Sequence, residues 1–295
     1  MRKQSFALLL LFLFTLTACA NLDLPDPQSR LMVANKIASE AGFAYNLYEG
    51  ETVGRALPLA YWHKGAVKSD EAVIYIAGDG YAWANRSRPS DNPTPLSHLT
   101  LKLAALDPSP QIFVLARPGQ YIGSLDKGMR HDLWTGRRFA PEIIKVYQAM
   151  LDDMTQQYEV SQFHLIGYSG GAAVAALIAA DRDDILSFRS VAGNLDNDEF
   201  VSYHGVSEMS QSLNPLLAAK DLSHIPQIHF IGAQDKTVPF SVTQSWKKQS
   251  KDKACVRLYT LDEAGHIDGW EEAWPDMVVK KASCNLDSLS ARPID

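Results

Sequence analysis

Apolar residues in this chain fall into short continuous runs separated by stretches with apolar positions three and four apart. Val73-Ile74-Tyr75-Ile76-Ala77, Ile112-Phe113-Val114-Leu115, Phe163 to Ile166 and Ile228 to Ile231 are compact, rich in β-branched and aromatic residues, and bounded by glycine, proline or polar residues. Such runs predict strands buried on both faces. Phe188 to Gly193 and Cys255 to Thr260 read as two more strands, the latter the last. Phe43 to Tyr48 and Leu57 to Trp62 predict an opening antiparallel hairpin. Pro141 to Gln157 begins with proline and places Ile143, Ile144, Val146, Met150, Leu151 and Met154 on one face, the pattern of an amphipathic helix. Ala172 to Ile178 predicts a small-residue helix and Trp270 to Val279 a closing one. Strands alternating with helices indicate an α/β domain, a mainly parallel sheet covered on both faces, over residues 31–284, with a loose tail at 285–295.

The start of the chain follows another pattern. Arg2 and Lys3 precede an apolar run from Phe6 to Leu16, which ends in Leu16-Thr17-Ala18-Cys19. A charged segment, a short apolar stretch and small residues before a cleavage point describe a secretory signal over residues 1–18. The run is too short to span a bilayer. With cysteine directly after Ala18, it resembles the lipobox of bacterial lipoproteins. That resemblance implies cleavage before Cys19, acylation of Cys19 (palmitate-type lipid) and membrane attachment through the buried methylenes. Ala20 at the next position implies the outer membrane, facing the periplasm. Residues 19–30, with Pro25 and Pro27, then read as lipidated cysteine and tether.

Cleavage there removes Arg2 and Lys3 and no acidic residue, so the formal charge of −6 deepens to −8. An acidic chain with no basic block argues against a nucleic-acid partner. No paired Cys/His spacing and no H-E-x-x-H motif points to a metal, and nothing calls for a cofactor.

The candidate chemistry lies at Gly167-Tyr168-Ser169-Gly170-Gly171, a G-x-S-x-G element between the strand ending at Ile166 and the helix beginning near Ala172. A sharp strand-to-helix turn holds a serine hydroxyl clear of the backbone, where a histidine can activate it. Asp235 follows the strand at 226–232 within Gly232-Ala233-Gln234-Asp235-Lys236-Thr237-Val238-Pro239, and His266 follows the last strand within Glu263-Ala264-Gly265-His266. Serine, acid and histidine occur in that order, each on a loop after a strand. The three elements together resemble the α/β-hydrolase superfamily over about 44–281. The resemblance implies Ser169 as nucleophile, His266 as general base and then acid, and Asp235 as the carboxylate that orients it. Asp196 and Asp198, after the strand at 188–193, are the alternative acids. The oxyanion donors implied are the amides of Gly170 and of Asp79 or Gly80, in the loop Gly78-Asp79-Gly80-Tyr81. Ala77 stands where the family has a bracing histidine, and the Asp79 side chain is expected to turn away and cap its loop.

The remaining histidines read as ordinary: His164 and His229 as strand residues, and His63, His98, His204 and His224 in polar, turn-rich surroundings. His131 alone is a candidate site neighbour. Cys255 and Cys284 form an even pair in an exported chain, which favours a disulfide over two separate thiols. Two insertions, 117–138 and 194–223, are placed to shape the pocket. The second is short for a lid, so a fairly open site is expected, with Tyr81, Trp83, Tyr121, Trp134 and Tyr203 as candidate lining. Arg130, Arg137 and Arg138 read as a solvated basic loop, with attraction of an anionic group as the alternative. The function implied is an envelope serine hydrolase acting on small-molecule or lipid esters. Aminopeptidase-like or acyltransferase activity on the same triad is the alternative, as is a non-catalytic lipoprotein keeping the fold. The sequence carries no reading of oligomeric state.

Overall fold

In the computed structural model, which describes residues 24–52, 55–65, 69–123, 125 and 129–284, the first element is helix α1 (Pro27–Glu40). Asp26 accepts a hydrogen bond from the Ser29 amide and Pro27 opens the first turn, two signals of a helix start. Pro27, Gln28 and Ser29 are therefore helical rather than part of a tether. The signal segment, Cys19 and the tail at 285–295 lie outside the described residues. The apolar pattern hides α1 because it is inverted in places: Met32 is 65 % exposed, whereas Arg30 is buried with its guanidinium on the Thr94 carbonyl.

The expected opening hairpin forms. Strand β1 (Ala44–Tyr48) pairs antiparallel with β4 (Leu59–Gly65), and the short β2 (Glu51–Thr52) and β3 (Arg55–Ala56) pair between them. Then follow β5 (Glu71–Ile76), α2 (Leu99–Ala105), β6 (Gln111–Leu115), α3 (Pro141–Tyr158), β7 (Gln162–Tyr168) and α4 (Gly170–Ala179). The chain continues through β8 (Ile185–Val191), α5 (Asn197–His204), β9 (Gln227–Gly232), α6 (Phe240–Gln249), β10 (Val256–Leu261) and α7 (Trp270–Val278). The eight-stranded sheet runs β1-β4-β6-β5-β7-β8-β9-β10, antiparallel at β1 and β4 and parallel from β6 onward.

Alternate residues of the central strands enter separate cores. Ala72, Ile74 and Ile76 of β5 pack with Phe163 and Leu165 beneath α3 and α4. Val73 and Tyr75 pack with Ile166, Phe230 and Trp274 beneath α1, α2 and α7. Every residue of α4 is buried, which its alanines permit. A Cβ on Gly171 would lie 2.1 Å from the Ile76 carbonyl oxygen, so glycine is required where α4 crosses β5.

Chain order places the candidate site. From β5 the chain moves through α2 to β6 on one side, then through α3 to β7 on the other. The connection after β5 thus runs toward β6 and the one after β7 runs the other way, toward β8, which opens a crevice between the C-terminal ends of these two neighbouring strands, the place where α/β sheets bind ligands. The Gly78–Tyr81 loop and the Ser169 turn are the walls of that crevice. Cys255, just before β10, and Cys284, beyond α7, are joined in a disulfide with an S–S distance of 2.00 Å, so the segment carrying His266 is closed at its base.

Candidate active site

Ser169 lies between β7 and α4, at the helix N-cap, with φ 52° and ψ −123°, a combination that costs a non-glycine residue of order 1–3 kcal/mol. Neighbouring backbone holds it there: its amide donates to the Val191 carbonyl (2.9 Å), and its own carbonyl accepts from the amides of Ala172 and Asn194 (both 3.0 Å). Its side chain makes no capping bond to α4. The hydroxyl instead lies 3.0 Å from Nε2 of His266. Nδ1 of His266 is 2.8 Å from Oδ2 of Asp235, whose side chain has no exposed surface. The other Asp235 oxygen accepts the amides of Thr237 (2.7 Å) and Val238 (2.9 Å), which fix the carboxylate's orientation. The Tyr168 hydroxyl donates to the His266 carbonyl (3.0 Å) and holds the histidine loop against the serine turn. The His266 side chain remains 18 % exposed and Ser169 is itself only partly buried, so the pair is open to solvent.

The alternative acids are elsewhere. Asp196 caps α5 by accepting the amides of Asp198 and Glu199, and its second oxygen accepts from the Ser245 hydroxyl. Asp198 lies in the first turn of that helix. Neither touches His266.

Gly170 occupies the first turn of α4, where amides lack an intrahelical acceptor. The amides of Asp79, Gly80 and Gly170 make no backbone hydrogen bond among the described residues, so all three expected donors are free of one. The Asp79 side chain differs from expectation: it does not cap its own loop. Oδ1 sits 2.1 Å from where a Gly170 Cβ would be and accepts from Nη1 of Arg117 (3.1 Å). Nε of Arg138 lies 3.0 Å from Oδ2, an ion-pair contact without hydrogen-bond alignment. Both guanidinium groups lie 5.2 Å from the centre of the Phe139 ring. The two ends of the 117–138 insertion thus converge on the residue beside the Ser169 turn. Gln120 fills the place left by the missing histidine: its amide group donates to the Gly78 carbonyl (2.9 Å) and its oxygen accepts the Arg117 amide (3.1 Å). Gly80, at φ 67°, would put a Cβ 2.2 Å from the Pro93 carbonyl oxygen, so the loop admits no side chain there.

These contacts make Asp79 a sensitive position. Asp79→Asn leaves two buried arginines facing a neutral group and is expected to destabilise the protein by roughly 3 kcal/mol, the low end for a broken buried pair because the carboxylate is partly exposed. A shift of the loop is further expected to lower kcat by about 10- to 100-fold, short of losing a donor outright. A melting curve together with kcat checks both; a lower Tm with unchanged kcat would make the cluster purely structural.

Other expected neighbours separate. Tyr81 and Tyr121 line the cavity beside Ser169, whereas Trp83 is half exposed, Trp134 is buried with its indole N–H on the Ser90 carbonyl, and Tyr203 is exposed. His131 is exposed and packs on Trp134, away from the cavity. Arg138 is buried rather than solvated. Arg130 pairs with Asp132, and Arg137 with Asp132 and Glu142. His164 and His229 are satisfied strand residues, bonded to Ser187 and to Ser190 and Gln227 respectively. Burial pushes the His229 pKa down to about 3. Sequence reasoning missed His98, which lines the cavity. Among the described residues, no cluster of side chains is arranged to hold a metal ion.

A family described as serine hydrolase (FSH1) matches residues 134–267, which contain Ser169, Asp235 and His266. Solved structures with the same architecture include an esterase of Pyrococcus furiosus (17 % identity, TM-score 0.59, covering 81 % of this chain and 91 % of that one). The chain is a serine hydrolase of the α/β-hydrolase type. An esterase domain of a Rhodothermus marinus protein has the same fold at 12 % identity and TM-score 0.54, covering 80 % of this hydrolase and 96 % of that chain. So does the acylaminoacyl peptidase of Pyrococcus horikoshii, at 14 % identity and TM-score 0.56, over 80 % of this chain; the hydrolase spans only 40 % of the peptidase's length. No curated protein sequence matches the chain.

Proposed function

We propose that this hydrolase cleaves carboxylic esters through an acyl-enzyme on Ser169. The observation that carries the proposal is the continuous relay from Ser169 Oγ through His266 to a desolvated Asp235. Ser169 Oγ attacks the ester carbonyl carbon while His266 Nε2 takes the hydroxyl proton. Asp235 holds the proton on Nδ1 and offsets the imidazolium charge. The carbonyl oxygen, now anionic, is received by the amides of Gly170 and of Asp79 or Gly80. Collapse of the tetrahedral intermediate breaks the bond to the leaving oxygen, which departs with the proton from His266. Water, deprotonated by the same histidine, then releases the acid.

The cavity wall is largely apolar and its rim exposes Leu96 and Ile267, surfaces suited to an aliphatic acyl chain, and the ester of such a chain is the substrate proposed. An ester and an anilide of the same acyl group test this choice. The ester is expected to be turned over and the anilide not measurably above its rate in buffer; anilide turnover well above that rate would favour a peptidase-like activity.

The proposal extends to place: a lipid-anchored protein of the bacterial envelope, held through Cys19 and facing the periplasm. Its support is the Leu16-Thr17-Ala18-Cys19 element after the apolar run. Cells fed a clickable palmitate analogue should label the protein, and Cys19→Ser should abolish labelling. Label retained in that variant, or wild-type protein recovered wholly in the soluble fraction, would contradict the anchor.

A further inference from the structure

The cavity beside Ser169 has a volume of about 290 Å³ and runs from the Gly78–Tyr81 loop to Trp62, Leu101 and Val114. Its wall is mainly apolar, yet α2 contributes two polar side chains that nothing in the relay uses. His98, immediately before α2, is 5 % exposed, and Thr100, in its first turn, is 6 % exposed. Nδ1 of His98 lies 2.9 Å from the Tyr121 hydroxyl. Among the described residues neither Nε2 of His98 nor Oγ1 of Thr100 shows a hydrogen-bond partner, and both residues line the cavity.

The tautomer follows from completing the bonds. The Tyr121 hydroxyl is buried, and His98 Nδ1 is the acceptor within its reach. With Tyr121 O–H donating to Nδ1, the ring proton sits on Nε2 and faces the cavity as a donor. The ring is uncharged at neutral pH: burial first, then the nearby Lys102 and Arg30, push its pKa down to about 4. A buried polar group without a partner costs free energy, and ordered water or ligand must supply what the protein does not.

We propose that His98 and Thr100 form a specificity subsite that selects esters whose acyl chain carries an uncharged hydroxyl. A hydroxyl fits the pair because its oxygen accepts from His98 Nε2–H while its proton goes to Thr100 Oγ1. A carboxylate could accept but not donate, and a plain alkyl chain would leave both groups unpaired. The acyl side is assigned because the leaving oxygen must lie near His266, beside the exposed rim residue Ile267, which directs the acyl chain inward past the oxyanion loop. The inference rests on the ester-hydrolase reading and adds the substrate class to it.

The test is kcat/KM for p-nitrophenyl esters of aliphatic acids with a hydroxyl walked along the chain, each divided by the value for its unsubstituted parent. At one or two adjacent positions the ratio is expected to reach about tenfold, the effect of one or two satisfied hydrogen bonds. Thr100→Val, nearly isosteric, and Tyr121→Phe, which frees the His98 tautomer, should each bring that ratio down toward one. A ratio near one at every position in wild-type protein that takes a fluorophosphonate on Ser169 would overturn the subsite alone. Failure of folded wild-type protein to take the fluorophosphonate would overturn the hydrolase reading, and the subsite with it. A high ratio undiminished in both variants would also overturn the assignment to this pair.

Discussion

Ser169→Ala is expected to lower kcat by about five to six orders of magnitude while KM changes little. The nucleophile's bond to the acyl carbon cannot be replaced by binding, so only the slow direct attack of water assisted by the oxyanion donors survives. The variant should fold. Removing one oxygen leaves the backbone bonds of residue 169 to Val191, Ala172 and Asn194 in place. Alanine at φ 52° bears a strain similar to that of serine, so Tm should stay within a few degrees of wild type. Steady-state turnover of an activated ester, read beside a melting curve, separates loss of chemistry from loss of fold. Activity within tenfold of wild type would mean that another group attacks the substrate.

Asp235→Asn is expected to cost about four orders of magnitude in kcat. The amide can still accept the Thr237 and Val238 amides through its oxygen. Its NH2 group then faces His266 Nδ1 and donates to it, which places the ring proton on Nε2, where it opposes the Ser169 hydroxyl instead of accepting from it. The histidine is present but in the wrong tautomer. Asp196→Asn is the matched control: Asp196 caps α5 and bonds Ser245, roles asparagine can keep, so Tm should change little and kcat should stay within a few-fold of wild type. If the Asp196 variant instead loses activity and the Asp235 variant retains it, the assignment of the acid is reversed.

Much of this architecture is legible in the sequence because each central strand is a short run of large apolar residues and each site residue follows such a run. Buried parallel strands require continuous apolar sequence, and the ends of those strands are where side chains meet across a crevice. Helix α1 is not legible in the same way. Its buried Arg30 and exposed Met32 and Val33 oppose the helical pattern, and the bond that accounts for Arg30 goes to Thr94, distant in sequence.

The same limit governs the site. Ser169, Asp235 and His266 have local signatures, since a nucleophile elbow and a loop after a strand are written in neighbouring residues. The Asp79, Arg117 and Arg138 cluster has none. Arg117 and Arg138 lie at opposite ends of an insertion, and only the folded chain brings both onto one carboxylate. Gln120 likewise takes over a bracing task that a histidine at position 77 would have advertised. His98 looked ordinary because burial beside a cavity depends on α2 packing near Trp62 and Tyr121, which local polarity does not encode.

Every step proposed for this hydrolase depends on Ser169 being an activated nucleophile. The most direct measurement is mass-spectrometric mapping of the adduct formed by a fluorophosphonate on the folded wild-type protein, with Ser169→Ala treated in parallel. One stoichiometric adduct is expected on the peptide containing Ser169 and none on the variant. An adduct elsewhere, or no adduct on folded wild-type protein, would contradict it.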